Sequence, residues 1–318
     1  MMATTNSTGG GMQTKTIQED LCSLSLERGS QKHLFYLLVV NIFLSIGAVL
    51  GNSLILVAFR KESSLHPPSK LLYRCLATTD LMVGVVSQPL ATTYYMSIVY
   101  EHWSICRYAR YAAFMTSYAL CGVSLSTMMA ISMDRLLALL LGLRYRQIVT
   151  LKRTFFCVGI FWVVSSVPTS SFIFDDRIAL WYSSLGVPFC LVISIVSYTK
   201  IFHSLSRHQA QVKNQQQPSP PNALNIARYR KAVHSALWVQ LALVVCYLPF
   251  VIVDIVISHS KTHSSHLTIT REISFSLIYF NSTLNPFLYC WKISEVRQSV
   301  KHTIRQALCC SWMNSWMN

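Results

Sequence analysis

From Leu34 to Phe59 the chain runs without a single charged residue. Few structures can accommodate such a stretch. At about 1.5 Å of rise per helical residue it crosses the roughly 30 Å of hydrocarbon in a bilayer. In lipid, only a helix or a closed barrel pairs every backbone N–H and C=O. The pattern then recurs at Lys70–Val99, Ile105–Leu139, Thr154–Phe174, Ile178–Phe202, Ala232–Ser258 and Ile273–Trp291. The first, fourth and sixth of these spans are near-continuous apolar runs. The second, third and seventh carry polar residues and are read from their length and flanks, while Asp175, Asp176 and Arg177 crowd the start of the fifth. The expected fold is all-α, a seven-transmembrane helix bundle over residues 34–291. An extracellular tail over 1–33 precedes it, and a short C-terminal amphipathic helix with a cytoplasmic tail over 292–318 follows.

Charged residues make up 12% of the chain, against about 25% in soluble globular domains, which argues against a soluble enzyme. The 52% hydrophobic content argues against a disordered chain. The net charge of +15 would suit a nucleic-acid binder, but its placement points elsewhere. Most of the 27 Lys and Arg residues fall after the first, third and fifth spans and in the C-terminal segment, opposed there only by Glu62, Asp134 and Glu295. The positive-inside rule makes that face cytoplasmic and the N-terminus external, so the charge meets anionic membrane lipid and no nucleic acid is expected.

Asn6-Ser7-Thr8 then lies on the side where glycosylation occurs, whereas Asn281-Ser282-Thr283 matches the same pattern inside a span, out of reach. No cleaved signal peptide is visible. The stretch from Ser204 to Asn225, with its QQQPSPPN run, reads as a linker unable to build a core. Among the 10 cysteines there is no Cys-x-x-Cys pair; Cys75, Cys121, Cys157, Cys190, Cys246 and Cys290 lie in apolar stretches and read as small hydrophobic residues.

Polar groups at membrane depth are costly and mark function. Asn52 stands in GNSLIL, Asp80 in LATTDLM, Asp134-Arg135 in SMDRLLAL, Trp162 in the fourth span, Tyr247 and Pro249 in CYLP, and Asn281, Asn285, Pro286 and Tyr289 in NSTLNPFLY. In this order and on these spans the motifs resemble the rhodopsin-like (class A) G-protein-coupled receptors, and the resemblance covers Leu34 to about Cys310. It implies a plasma-membrane receptor, not an enzyme, whose partners are a heterotrimeric G protein, an extracellular small-molecule or peptide ligand, and membrane lipids.

The resemblance also assigns roles. Asp80, Ser124, Asn281 and Asn285 would surround an allosteric sodium ion, with no other cofactor required; a plain hydrogen-bond network around a protonated Asp80 is the other reading. Asp134, Arg135, Tyr247, Pro249, Pro286 and Tyr289 would form the switch that couples to the G protein, with Asn52 and Trp162 structural. Ile293, Val296, Val300, Ile304 and Leu308 share one helical face, as expected of an interfacial helix, and Cys309 and Cys310 at its end are candidates for palmitoylation or remain free thiols.

Several positions depart from the family pattern. Arg110 stands where the family carries its third-span cysteine, and no cysteine lies between Cys157 and Cys190, so the usual external bridge cannot form. A Cys22–Cys106 bridge in its place is one expectation and two free thiols the other. The third-span motif is Asp-Arg-Leu, Tyr247 replaces a common Trp, and Pro188 is displaced relative to Tyr198, which suggests an irregular fifth helix. Tyr229, flanked by Arg228, Arg230 and Lys231, stands where some members carry an acid that pairs with the third-span arginine; like charges repel Arg135, so basal activity is expected. Ser117 and Tyr279 exclude the pattern of amine receptors and of opsins respectively. The missing cysteine and short second external loop resemble melanocortin receptors, within a group that includes adenosine receptors, yet Leu90, Arg110 and Phe114 replace the acids that bind melanocortin peptides.

The candidate ligand pocket is Arg110, Phe114, Ser117, Tyr118, Asp254, Phe275 and Tyr279. Asp254 would pair with a cationic ligand or, alternatively, with Arg110 or Arg271. His259, His263 and His266 in the last external loop are proton or zinc sensors in one reading and solvated side chains in the other. The competing classes are a transporter or channel, expected to show repeats or rows of intramembrane charges, and a non-signalling scavenger receptor.

Overall fold

The computed structural model describes residues 22, 28–61, 66–171, 182–214, 238, 240–257, 265–292 and 297–305. Among these residues the regular structure is entirely helical. The first span is Arg28–Lys61. The second is Pro67–Met82, continued through a π turn at Val83–Ser87 into Gln88–Val99. The third is Trp103–Leu141, followed by a 3₁₀ turn at Gly142–Arg144 and the one-turn helix Tyr145–Ile148. Leu151–Ser171 forms the fourth, Val187–Asn214 with a preceding π turn at Tyr182–Gly186 the fifth, 240–257 the sixth, and Ser265–Lys292 the seventh.

Five of these helices are long and apolar enough to cross a membrane. The second and seventh are less apolar because they carry the buried polar residues Asp80, Gln88, Arg271, Glu272, Asn281 and Asn285. The molecule is polar within and apolar without: Phe43, Phe156, Val163, Phe189 and Phe287 lie exposed on the outside, while Asn41, Asn52, Asp80 and Ser124 are fully buried. That is the arrangement lipid demands, since hydrocarbon cannot hydrogen-bond an outward-facing amide or carboxylate.

The first span packs closely on the seventh because Gly47 and Gly51 present no side chain. A Cβ at Gly47 would stand 2.7 Å from Thr283 Cγ2, and one at Gly51 would stand 2.9 Å from Pro286 Cγ. Small residues four apart let two membrane helices approach this way. The seam is then stitched by hydrogen bonds: Asn41 Nδ2 donates to Ser276 Oγ at 3.0 Å, Thr283 Oγ1 to the Leu44 carbonyl at 2.9 Å, and Asn52 Nδ2 to the Ser282 carbonyl at 3.1 Å.

In the second span, Gln88 N–H donates to the Val83 carbonyl, five residues back. In that register Pro89 would donate to Gly84, but proline has no N–H. Ser45 Oγ of the first span donates to the Gly84 carbonyl instead, at 2.7 Å. A tight turn at Tyr100–His102, with Glu101 at φ 58°, leads into the third span. There Cys106 is joined to Cys22 by a disulfide across 84 residues, which ties the tail to this end of the bundle. At the opposite end Gly142, at φ 49°, closes the third span in a conformation that glycine alone adopts without strain.

Most boundaries shift by a few residues from those read in the sequence, and the larger differences are at the start of the seventh helix and the end of the fifth. The seventh helix starts at Ser265, about two turns before Ile273, because Arg271 and Glu272 are buried and partnered inside the bundle. The fifth helix runs to Asn214, into the stretch read as a linker. Residues 205–214 hold good helix formers such as Gln, Ala, Arg and Lys and no proline, a composition that supports continuing the helix. The helix at 297–305 buries Val300 and exposes Lys301 and Arg305. Asn6, residues 172–181, Arg228–Lys231, the start of the sixth span before Trp238, His259, His263, Ile293, Val296, Leu308, Cys309 and Cys310 lie outside the described residues.

Candidate functional site

A buried carboxylate needs donors, and Asp80 draws them from two other helices. Ser124 Oγ of the third span donates to Asp80 Oδ1 at 2.9 Å, Ser282 Oγ of the seventh to the same oxygen at 2.8 Å, and Asn285 Nδ2 to Oδ2 at 2.7 Å. Ser282 is the partner that the sequence reading missed; it lies three residues before Asn285 and so shares its helix face. Asn281 is close by but turned away, its Nδ2 donating to Met128 Sδ at 3.5 Å. The buried Oδ1 atoms of Asn281 and Asn285 accept no hydrogen bond among the described residues. Around Asp80 there is thus a carboxylate, two hydroxyls and the unengaged amide oxygen of Asn285, a donor set that suits a hard cation such as sodium. Asn52 joins this centre through the Ser282 carbonyl. Trp162 faces outward from the fourth span, 39% exposed.

Toward the disulfide end, the third, sixth and seventh spans converge on an aromatic cluster. Phe114 stacks on Tyr118 at 5.4 Å and on Phe275 at 6.0 Å, while Phe250 meets Phe275 at 5.4 Å and Tyr118 at 6.4 Å, both edge-on. Tyr279 stands edge-on to Phe275 at 5.2 Å, and its hydroxyl shares a 2.6 Å hydrogen bond with Ser117. The candidate pocket residues Phe114, Ser117, Tyr118, Phe275 and Tyr279 therefore form one contiguous group, with Arg110 one turn above Phe114 on the third span.

Asp254 is paired inside the bundle. Arg271 Nε donates to its Oδ1 at 3.2 Å, both groups being buried, and Arg271 Nη2 donates to the Tyr118 hydroxyl at 3.2 Å. The same guanidinium lies over the rings of Phe114 at 5.1 Å and Phe250 at 5.6 Å, so it is held by charge, hydrogen bond and π faces together. Next to it, the buried Glu272 accepts a hydrogen bond from the Tyr95 hydroxyl at 2.9 Å. Neither Glu272 nor Tyr95 stood out in the sequence. His266 is exposed, at the start of the seventh helix.

At the opposite end, Asp134 and Arg135 have separate partners. Ser69 Oγ donates to Asp134 Oδ2 at 2.8 Å, and the Tyr145 hydroxyl to Oδ1 at 2.6 Å. Arg135 turns to the second span, where its Nη2 donates to the Tyr73 hydroxyl at 3.2 Å and its charge lies 5.6 Å from that ring. Tyr289 packs edge-on against Tyr73 at 5.3 Å. Between the two ends, Tyr247 is buried and donates to the Cys121 carbonyl at 3.4 Å. Pro249 lies within the sixth span, and Pro286 within the seventh at its contact with Gly51.

This is a seven-helix membrane bundle with a polar centre, an aromatic cluster at one end and an Asp-Arg pair at the other. The family model described as "7 transmembrane receptor (rhodopsin family)" matches residues 51–175 and 166–289, and the chain belongs to that family. It is a multi-pass membrane receptor of the G-protein-coupled class, a family of receptors and not of enzymes.

Proposed function

We propose that this receptor resides in the plasma membrane with its N-terminus outside. It converts binding of an extracellular ligand at the aromatic cluster into activation of a heterotrimeric G protein through movement of the sixth span. The observation that carries this reading is a series of interhelical contacts spaced along the length of the bundle. It starts at Tyr279–Ser117, passes through Tyr247–Cys121 and the Asp80 centre, and ends at Tyr289–Tyr73–Arg135. A ligand that moves Tyr279 or Phe250 disturbs the sixth and seventh spans, and both lead toward the Arg135 end. Asp80, with Ser124, Ser282 and Asn285, holds sodium there as an allosteric ion; the ion would supply a positive charge that stabilises one arrangement of these helices.

Within the family, the missing third-span cysteine and the short second external loop favour the group that includes melanocortin and adenosine receptors. Asn6 is glycosylated and Cys309 and Cys310 carry palmitate in this reading, which places the Arg135 end and the basic segments on the cytoplasmic side. Basal coupling is part of it too, since Arg135 is held by a neutral tyrosine rather than by an acid among the described residues.

The test is expression in cells with an N-terminal epitope, with cAMP and calcium followed with and without a ligand panel. Surface staining of intact cells and a basal signal lost in Arg135→Ala are expected. An epitope reached only after permeabilisation, or signalling unaffected by Arg135→Ala, would overturn the reading.

A further inference from the structure

The charged groups at the disulfide end are unequally provided for. Asp254 has Arg271, Arg271 has Asp254 and Tyr118, and Glu272 has the Tyr95 hydroxyl. Arg110 has none of these. It is 4% exposed, and its Nε and Nη1 find no hydrogen-bond acceptor among the described residues; the Tyr111 ring lies 4.9 Å from the guanidinium carbon, and Glu272 is within electrostatic range. A buried guanidinium with unmade hydrogen bonds is costly, and an acceptor brought by a ligand relieves that cost. One turn below lies Phe114, stacked on Tyr118 and Phe275.

We propose, resting on the ligand pocket assigned above, that Arg110 is the anion-recognition point of this receptor, and that the ligand is an amphiphilic carboxylate. Its head accepts hydrogen bonds from the Arg110 guanidinium, and its apolar body lies against the aromatic cluster. A single negative charge is the smaller burden next to Glu272: a carboxylate adds one charge there, whereas a doubly charged phosphate adds two. The arrangement reverses the preference that Asp254 suggests in the sequence, because the acid is already paired and the group with unmade hydrogen bonds is the Arg110 cation.

The test uses the full-length receptor in cells and purified in detergent. Decanoic, hexadecanoic and phenylbutyric acids serve as probes, each beside its methyl ester, with decyl phosphate and decylamine as head-group controls. At least one acid is expected to raise signalling and thermal stability while its ester does neither. Arg110→Gln should weaken the potency of that acid by about tenfold or more, with Arg110→Lys recovering part of it. If both variants fail to reach the surface, the acid-against-ester difference in the thermal stability of the unaltered receptor decides. Esters acting as well as acids, decylamine or decyl phosphate acting in preference, or acid potency unchanged in Arg110→Gln would overturn the proposal. So would acids inert in both assays at a receptor whose basal signal depends on Arg135; in that outcome the receptor reading stands and the ligand class alone falls.

Discussion

Arg135 donates to the Tyr73 hydroxyl across 3.2 Å, and the same tyrosine ring meets Tyr289 edge-on at 5.3 Å. One side chain of the second span therefore touches both the third-span arginine and the seventh-span tyrosine, and its ring also stacks on Phe59 of the first at 6.0 Å. For Arg135 to reach a G protein it must leave Tyr73. A hydrogen bond to a charged group contributes more than a neutral one, but Arg135 is open to its surroundings and the contact is discounted to about 1 kcal/mol. Tyr73→Phe keeps the ring and removes the acceptor. It should raise basal signalling about fivefold at matched surface density, as read by nucleotide exchange on the G protein. An unchanged basal rate would show that Tyr73 does not restrain Arg135.

The Asp80 centre separates two neighbouring residues of the seventh span. Ser282 bonds the carboxylate, whereas Asn281 bonds Met128 Sδ. Asp80→Asn is expected to abolish any effect of sodium on basal or ligand-driven signalling. Ser282→Ala removes one of three donors and one cation ligand, and should weaken sodium potency several-fold, whereas Asn281→Ala should change it less. Titrating sodium against potassium in membranes from each variant checks the order. A larger effect at Asn281 than at Ser282 would mean that the amide turns toward the ion when it binds.

Much of this was legible in the sequence, for physical reasons. A lone carboxylate at membrane depth announces Asp80, while Ser124, Asn281 and Asn285 beside it are implied by the family resemblance. Of these, Ser124 and Asn285 bond the carboxylate and Asn281 bonds Met128. Seven apolar spans and the skew of basic residues define the bundle. Other parts carry no such signal. Arg271 and Glu272 are adjacent opposite charges that read as a loop, and only burial of both against Asp254 and Tyr95 makes them part of a helix. Tyr73 is one of 15 tyrosines, without a motif to mark it. For Asp254 the sequence leaves a cationic ligand, Arg110 and Arg271 as alternative partners, and which arginine reaches it is a matter of three-dimensional register. The helical stretch up to Asn214 was hidden because a polar composition looks the same in a linker and in a helix.

The disulfide offers a sharper stability test. Joining Cys22 to Cys106 closes a loop spanning 84 residues, and the chain-entropy model gives about 4 kcal/mol for a loop of that size. Cys22→Ser and Cys106→Ser should each lower the surface level and the melting temperature of the solubilised receptor, and the double variant should be no worse than either single one. Peptide mapping of the unaltered protein without reduction should recover the two cysteines in one linked fragment. Both thiols alkylated without reductant would contradict the pairing.

The Arg271–Asp254 pair makes a prediction that turns on sign as well as size. Removing one partner of a buried ion pair leaves the other charge uncompensated, at a cost of about 3–5 kcal/mol, whereas removing both at once costs far less. Asp254→Asn should therefore lower the melting temperature of the purified receptor steeply, because Arg271 keeps its charge with only the Tyr118 hydroxyl and the rings of Phe114 and Phe250 around it. Arg271→Gln alone should be costly too, stranding Asp254. The double variant should recover more than half of either loss, a coupling that two independent sites would not show. Strictly additive losses would mean that the two charges are satisfied by other groups and that the pair does not organise this end of the bundle. If the coupling is present, the double variant also loses the cation held over Phe114 and Phe250, so the aromatic cluster should loosen and ligand potency should fall even where stability has been restored.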